Sequence, residues 1–294
     1  MEQGRNRVNL WLRAERAFGL NAVVSRSVQG PSPFEQHPTN AQGASSSDRS
    51  VKDPALRTDL KDRPYANVSV PNAMAPMGGL VPPPTREPLT TLNLARDEKI
   101  QRLTALDSNE VRGCTRCRLC ETRTNTVFGE GDADAKVVFV GEGPGENEDL
   151  KGRPFVGRAG ELLDRQIAAM GFRRDQVYIC NIVKCRPPGN RQPAPDEAAT
   201  CTPYLQRQLE IIEPKVIVTL GLSAARYMLD TKLSMTKLRG NWHTWRGIKL
   251  MPTFHPAYLL RQYTPETRAA VWSDLKQVLV ELGLPIPQRS KSDA

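Results

Sequence analysis

The chain has 294 residues, a formal net charge of +9 and a pI of about 9.4, which favours a polyanionic partner such as nucleic acid. Its length suits one sizeable domain with an additional segment. No apolar run is long enough to span a membrane, and the first residues lack the continuous apolar core of a secretory signal. The composition therefore disfavours a membrane protein and predicts a cytoplasmic one.

Residues 1–95 differ in composition from the rest of the chain. They hold 11 of the 24 prolines and none of the six cysteines. Because the serine and proline clusters at 45–50 and 73–88 do not sustain helices or strands, we expect a disordered extension over 1–95. An Arg-rich stretch over residues 5–26 leaves organelle targeting as an alternative. A short disordered tail is expected over residues 289–294.

The segment 96–288 has the alternating pattern of an α/β domain. A predicted helix over 97–112 precedes short apolar runs rich in β-branched residues, which suit strands buried on both faces. Helical patterns alternate with these runs, so we predict a three-layer αβα sandwich around a central, mostly parallel four-stranded sheet. The predicted strands are 137–140, 177–183 and 216–220, the predicted hairpin is 242–252, and the further helices are 160–170, 196–212, 223–229 and 265–282.

Five of the six cysteines form two groups that can bind a metal. Residues 114–120 read CTRCRLC, and a CxxC pair lets two thiolates converge on one ion. Cys185 and Cys201 bracket a proline-rich loop that can return to the first group. Because only one short knuckle is present, the spacing favours one four-cysteine iron–sulfur site over zinc, with disulfides as a further alternative. Cys180, within an apolar strand, is predicted to pack in the core.

The stretch GEGPGENEDLKGRPF, residues 141–155, joins a predicted strand to a predicted helix. A strand that ends in a Gly-rich turn is where α/β proteins place ligands. The four carboxylates of this turn disfavour a phosphate-binding loop. They suit chemistry on a neutral ring or the activation of water.

His255 is the second candidate for chemistry. It follows an apolar run and precedes Pro256, which opens a predicted helix. A helix N-terminus beside the imidazole favours the neutral ring and stabilises a nearby anion. A capping or core histidine is an equal alternative from these residues alone, and His243, between two tryptophans, is predicted to be structural.

These motifs together resemble the family 4 uracil-DNA glycosylases, the iron–sulfur-containing branch of that superfamily. The resemblance covers residues 114–282 and rests on GEGPGENED followed by GRPFVGRAG, on NIVKCRPPGNR with its downstream cysteine, and on FHPAYLLR. It implies a bacterial or archaeal monomer that flips uracil out of single- or double-stranded DNA and hydrolyses its N1–C1′ bond in base-excision repair. It also implies one [4Fe–4S] cluster held by Cys114, Cys117, Cys185 and Cys201, with Cys120 as a surplus cysteine.

The resemblance assigns roles around the uracil. Gly141 and Gly143 would line the pocket, and Phe155 would stack on the base. Asn181 would read the polar edge, donating to O4 and accepting from N3–H, a pattern that cytosine reverses. His255 would face O2 as negative charge develops there.

The chain departs from the better-known family 1 enzymes at two positions. Those enzymes have Asp where this chain has Gly143, so the carboxylate that handles the water must come from elsewhere. We expect Glu142 first and Glu148 second. Those enzymes also carry a Tyr, at the position of Gly145, that blocks the thymine methyl, and Glu148 is a candidate for that role here.

Basic and apolar residues beside the motifs fit DNA binding. Arg186, Arg191 and Arg261 are expected to contact phosphates. Leu259 and Leu260 would wedge into the base stack as the base leaves, with helix packing as an equal alternative.

Three rival functions remain open. A covalent uracil-capturing branch carries a His-containing insertion that the loop 184–200 lacks. A non-catalytic iron–sulfur electron carrier would not need the acidic turn or His255. A zinc-dependent nucleic-acid-binding protein would be colourless, whereas an iron–sulfur protein is brown.

Overall fold

The computed structural model describes residues 87–287. The predicted extension 1–95, apart from residues 87–95, and the predicted tail 289–294 lie outside the described residues. Residues 87–95 contact the domain, because the Leu89 N–H donates to a backbone carbonyl at 3.0 Å and the Glu213 carboxylate accepts from two further N–H groups. Within 87–287 no helix is long and apolar enough to cross a bilayer.

The centre of the domain is a six-stranded sheet with the order β1-β3-β2-β4-β6-β5. Its four central strands are parallel, which confirms the predicted sheet, and a short antiparallel strand is added at each edge. The predicted hairpin is confirmed as β5 and β6. The strands are β1 (Glu130–Gly131), β2 (Val137–Gly141), β3 (Tyr178–Asn181), β4 (Val216–Leu220), β5 (His243–Trp245) and β6 (Ile248–Thr253).

Helices cover both faces of the sheet. The predicted helices are confirmed, each with ends within two residues of the expected ones apart from the first, which finishes as a π-helical turn (Asp107–Val111). The α-helices of the described residues are α1 (Arg96–Leu106), α2 (Glu146–Lys151), α3 (Arg158–Ala169), α4 (Pro195–Ile212), α5 (Leu222–Leu229), α6 (Met235–Leu238), α7 (Pro256–Arg261) and α8 (Pro265–Glu281). Short 3₁₀ turns lie at Arg118–Cys120, Arg174–Gln176 and Pro188–Asn190.

The core consists of two apolar layers, one on each face of the sheet. Successive side chains of a strand point to opposite faces, so Val138 and Val140 of β2 join one layer while Val137 and Phe139 join the other. Helices α1 and α4 cover the first layer, and α3 and α8 cover the second. This arrangement is the predicted three-layer αβα sandwich.

The carboxyl ends of the four parallel strands meet at one edge of the sheet. Gly141 at the end of β2 pairs in register with Asn181 at the end of β3, and Leu220 of β4 pairs with Thr253 of β6. The segments that follow these ends are therefore neighbours, and this is where open α/β sheets bind ligands.

Candidate active site

A cavity of about 470 Å³ opens at the carboxyl edge of the parallel strands. Its wall is built from segments that follow β2, β3, β4 and β6, so residues far apart in sequence meet there. The predicted residues that line it are Glu142, Gly143, Glu148, Phe155, Asn181, His255, Arg191 and Arg261.

Gly141 lies beneath this wall and leaves room for two of its side chains. A Cβ at this position would lie 2.4 Å from the Asn181 Oδ1 and 2.6 Å from the Phe155 Cζ. The absence of a side chain therefore lets the amide and the phenyl ring approach each other. Gly143 is restricted in a similar way, because its Cβ would lie 2.8 Å from the Val183 Cγ2.

The Asn181 side chain is buried, with an exposed fraction of 1 %. Its Oδ1 has no hydrogen-bonding partner among the described residues. The backbone is fixed, because the Lys184 Nζ donates to the Asn181 carbonyl at 2.9 Å. An unsatisfied buried acceptor costs about 1–3 kcal/mol, so this oxygen is suited to an N–H group of a ligand.

His255 is held as a neutral imidazole. The Ala257 N–H donates to its Nδ1 at 3.0 Å, which leaves the proton on Nε2. Burial, assisted by the positive charge of Arg261 and opposed by Glu148, lowers the pKa of His255 to about 4. The His255 and Phe155 rings lie 5.6 Å apart between centroids. The imidazole is therefore a hydrogen-bond donor rather than an acid at neutral pH.

The two candidate carboxylates differ in their surroundings. Glu148 forms a capping box at the start of α2, accepting from the Gly145 N–H at 3.1 Å. Its other oxygen accepts from the Val156 and Gly157 N–H groups at 2.8 and 3.0 Å. Glu142 is half-buried, and its carboxylate has no hydrogen-bonding partner among the described residues. Of the two, Glu142 is the carboxylate that is available to a water molecule.

Asp149 has a structural role that sequence reasoning missed. It is buried and accepts from the Thr124 N–H at 2.9 Å and the Asn125 N–H at 3.2 Å. Its position in the first turn of a helix was the available signal, because acids there bind backbone N–H groups. Two of the four acids in the turn, Glu148 and Asp149, thus accept hydrogen bonds from backbone N–H groups.

The predicted DNA-contacting arginines differ in how far they are engaged. Arg191 donates to both oxygens of the fully buried Glu197, at 2.7 and 2.8 Å. Arg186 donates to the Asn190 Oδ1 at 2.7 Å. Arg261 is exposed and lines the cavity, and its guanidinium has no hydrogen-bonding partner among the residues described. Of the three arginines, Arg261 is therefore the most available for a contact with a phosphate.

The prediction that Leu259 enters the base stack is wrong for this structure. Leu259 has an exposed fraction of 0 % and packs in the second core layer, because it lies on the inward face of α7. The alternative of helix packing holds for this residue. Leu260 is half-buried against the same layer, and its insertion stays a prediction.

The structure brings the four predicted cysteine ligands together. Cys114, Cys117, Cys185 and Cys201 line a second cavity of about 10 Å³, and all are free thiols. Cys180 is fully buried, which confirms its predicted packing, and Cys120 is half-buried outside the cavity lining. Within 87–287 the thiols do not close into a ready-made site for a single metal ion.

Hydrogen-bond donors surround these sulfur atoms. The Arg123 Nη1 donates to the Cys185 Sγ at 3.1 Å, and the Lys184 N–H donates to the Cys201 Sγ at 3.3 Å. Burial raises the pKa of the Cys201 thiol to about 12. A thiolate there needs a cationic partner. Four sulfur donors with N–H groups aimed at them form a suitable environment for a cluster of soft metal ions.

Comparison with known proteins agrees with this geometry. The sequence model of the uracil DNA glycosylase superfamily matches residues 128–276. The chain is 52% identical over 179 residues to a type-4 uracil-DNA glycosylase of Thermotoga maritima, covering 60% of this chain and 93% of that protein. It is 45% identical over 177 residues to a type-4 uracil-DNA glycosylase of Archaeoglobus fulgidus, covering 58% and 88%. It is 31% identical over 161 residues to a type-5 uracil-DNA glycosylase of Pyrobaculum aerophilum, covering 48% and 71%.

The α/β fold with its cavity at the strand ends, and the superfamily match over that cavity, define a DNA glycosylase. The identities to the type-4 proteins exceed that to the type-5 protein of Pyrobaculum aerophilum. The chain belongs to the uracil DNA glycosylase superfamily and, within it, to the type-4 uracil-DNA glycosylases.

Proposed function

We propose that this chain receives a uracil flipped out of DNA in the 470 Å³ cavity and hydrolyses its N1–C1′ bond, leaving an abasic site. The observation that carries this proposal is the buried amide oxygen of Asn181, which has no partner within residues 87–287, in the same cavity as the neutral imidazole of His255. As a uracil-DNA glycosylase, the chain is an enzyme of DNA repair that acts on N-glycosyl bonds.

Base recognition rests on Asn181 and Phe155. The Asn181 Oδ1 accepts from uracil N3–H, and the amide N–H group donates to O4. Cytosine presents an acceptor at N3 and a donor at C4, so both groups would be mismatched and the buried amide would stay unpaired. Phe155 supplies stacking energy of about 1–3 kcal/mol, which does not discriminate among bases.

Bond cleavage rests on His255 and Glu142. As the N1–C1′ bond breaks, both of its electrons move to the base, and the Nε2–H of His255 donates to the developing charge on O2. Positive charge develops on the sugar. The half-buried Glu142 carboxylate stabilises that charge, orients the water that attacks C1′ and accepts its proton. Glu148, whose oxygens bind three backbone N–H groups, holds the turn in place.

The four cavity-lining thiols are proposed to hold one [4Fe–4S] cluster. The four converging sulfur atoms, two of them buried, and the N–H donors to two of them fit that group. Bound there, it would tie the 114–120 knuckle to the proline-rich loop between Cys185 and Cys201. The loop lies against the active site, since Pro187, Asn190 and Arg191 line the large cavity.

DNA is expected to contact the mouth of the cavity through Arg261, with Arg186 and Arg191 on the neighbouring loop. Leu260 is the remaining candidate for an apolar contact with the base stack. A monomer suffices for this reaction, because one chain supplies every side chain named above.

The test is strand cleavage after mild alkali of duplex and single-stranded DNA that contains one uracil, with thymine and cytosine substrates as controls. We expect cleavage at uracil alone, and only after alkali, as for a monofunctional glycosylase. Asn181→Ala should lose activity on uracil while Asn241→Ala, an exposed asparagine far along the chain, retains it. A brown, folded preparation that releases no uracil would refute the proposal.

A further inference from the structure

The backbone of Phe155 is held in an unfavourable conformation. Its φ angle is +50°, in the left-handed region that side-chain-bearing residues rarely adopt. The residue is buried, and its ring lies 5.6 Å from that of His255 between centroids. Strain of this kind costs about 1–3 kcal/mol and persists only when surrounding groups impose it.

Two contacts on one side of the residue contribute to holding it. The Glu148 carboxylate accepts from the N–H groups of Val156 and Gly157, directly after Phe155. Gly160 of α3 packs so closely that a Cβ there would lie 1.9 Å from the Phe155 carbonyl oxygen. These contacts fix the backbone that follows Phe155. The peptide bond between Pro154 and Phe155 is held by a different group.

That group is Arg174, which does not line the cavity. Its Nη2 donates to the carbonyl of Pro154, directly before Phe155, at 2.5 Å. Its other nitrogens donate to Glu130 at the sheet edge, at 2.7 Å, and to Asp164 of α3, at 2.5 Å. Three fixed partners orient the whole guanidinium, which is mostly buried. The Pro154 carbonyl is thus anchored both to the sheet edge and to a core helix.

We propose that Arg174 is a positioning residue for uracil excision, which acts by holding Phe155 where its ring stacks on the flipped base. This inference rests on the proposed function of the cavity. Without the guanidinium, the Pro154 carbonyl loses its donor, and the Phe155 backbone can relax toward ordinary φ angles. The ring would then leave its place beside the base, and a displacement of about 1 Å can cost about 100-fold in rate.

The test compares Arg174→Gln with Arg173→Gln. Arg173 is the adjacent residue, carries the same charge and, within the described part of the chain, pairs through its side chain only with the exposed Asp175, so it controls for lost DNA attraction. Single-turnover and steady-state kinetics on uracil DNA, and inhibition by free uracil, are measured for both. We expect Arg174→Gln to lower kcat/KM by about 10- to 100-fold and to weaken uracil inhibition, and Arg173→Gln to change either less than about threefold.

A double-mutant cycle with Phe155→Ala separates positioning from general destabilisation. If Arg174 acts through the ring, Arg174→Gln should change the rate less than about twofold once the ring is absent. Equal losses with and without the ring, or wild-type kinetics in folded Arg174→Gln, would overturn the inference. If Arg174→Gln does not fold, Arg174→Lys takes its place, because it keeps the positive charge but lacks the planar set of guanidinium donors. Its kcat/KM is expected to lie between those of the wild type and Arg174→Gln. An inactive wild-type enzyme would instead refute the proposed function.

Discussion

Because His255 is neutral, we can predict quantitatively how the rate of uracil excision depends on pH. Burial lowers the pKa of this imidazole to about 4, from an ordinary value of 6.5. At pH 5.5 a pKa of about 4 leaves about 97 % of the ring neutral, whereas the ordinary value leaves about 9 %. Because the proposed reaction uses the neutral Nε2–H, activity at pH 5.5 should be about tenfold higher than an ordinary histidine would allow.

The same pKa has a consequence for stability. The unfolded chain binds a proton at this ring below pH 6.5, whereas the folded chain does so only near pH 4, so stability falls as pH falls between these values. The difference corresponds to about 3 kcal/mol of unfolding free energy, present above pH 6.5 and absent below about pH 4. In His255→Gln the contribution of this ring to the acid dependence should vanish.

Two measurements check these values. Nitrogen-15 spectra of labelled histidine report the tautomer and pKa of each ring, with His255→Gln identifying the relevant signals. The kcat/KM profile between pH 4 and 8 reports the catalytic consequence. Burial raises the pKa of Asp274 to about 6, so Asp274→Asn distinguishes that carboxyl from the histidine. A His255 signal that titrates near pH 6.5, with activity falling in parallel, would refute the reasoning.

Three substitutions test other parts of the site. Gly141→Ala places a methyl group 2.4 Å from the Asn181 Oδ1 and 2.6 Å from the Phe155 ring, so kcat/KM for uracil DNA should fall about 100-fold. Near-normal kinetics would show that these two side chains can move to accept the methyl group. Glu142→Gln should lower single-turnover rates by about 100- to 10,000-fold, with little change in DNA affinity measured by fluorescence anisotropy. An unchanged rate would show that another group activates the water. Glu197→Gln removes a buried carboxylate whose two guanidinium partners are about half exposed, so chemical denaturation should show a loss of about 1–3 kcal/mol, against little change for the exposed neighbour Asp196→Asn.

The sequence predicts the parallel core of the fold well because its signals are local. The runs that became β2, β3 and β4 are apolar and β-branched, which is the composition of strands covered on both sides. Strand β1 has only two residues, Glu130 and Gly131, and carries no periodic pattern. It pairs with β3 only because tertiary packing brings it there, and no local signal predicts it.

The candidate site, too, could be predicted from the sequence only in part. Motif resemblance placed Asn181, Phe155 and His255 on one cavity, and the structure brings them together. It did not reveal which way each residue faces, so it left DNA insertion and helix packing as equal alternatives for Leu259, which the structure buries. Arg174 went unnoticed because its three partners lie 10 to 44 positions away in the chain, and only the folded molecule joins them.

The side chains that line the cavity come from separate segments of the chain, and this separation has a practical use. The ring proposed to stack on the base and the imidazole belong to connections that follow β2 and β6, and the amide proposed to read the base belongs to the last residue of β3. Each connection can accept new residues while the sheet keeps the others in place. Combinatorial libraries aimed at enzymes for other damaged bases can therefore randomise one connection at a time, and selected changes from different connections should be transferable into a single chain.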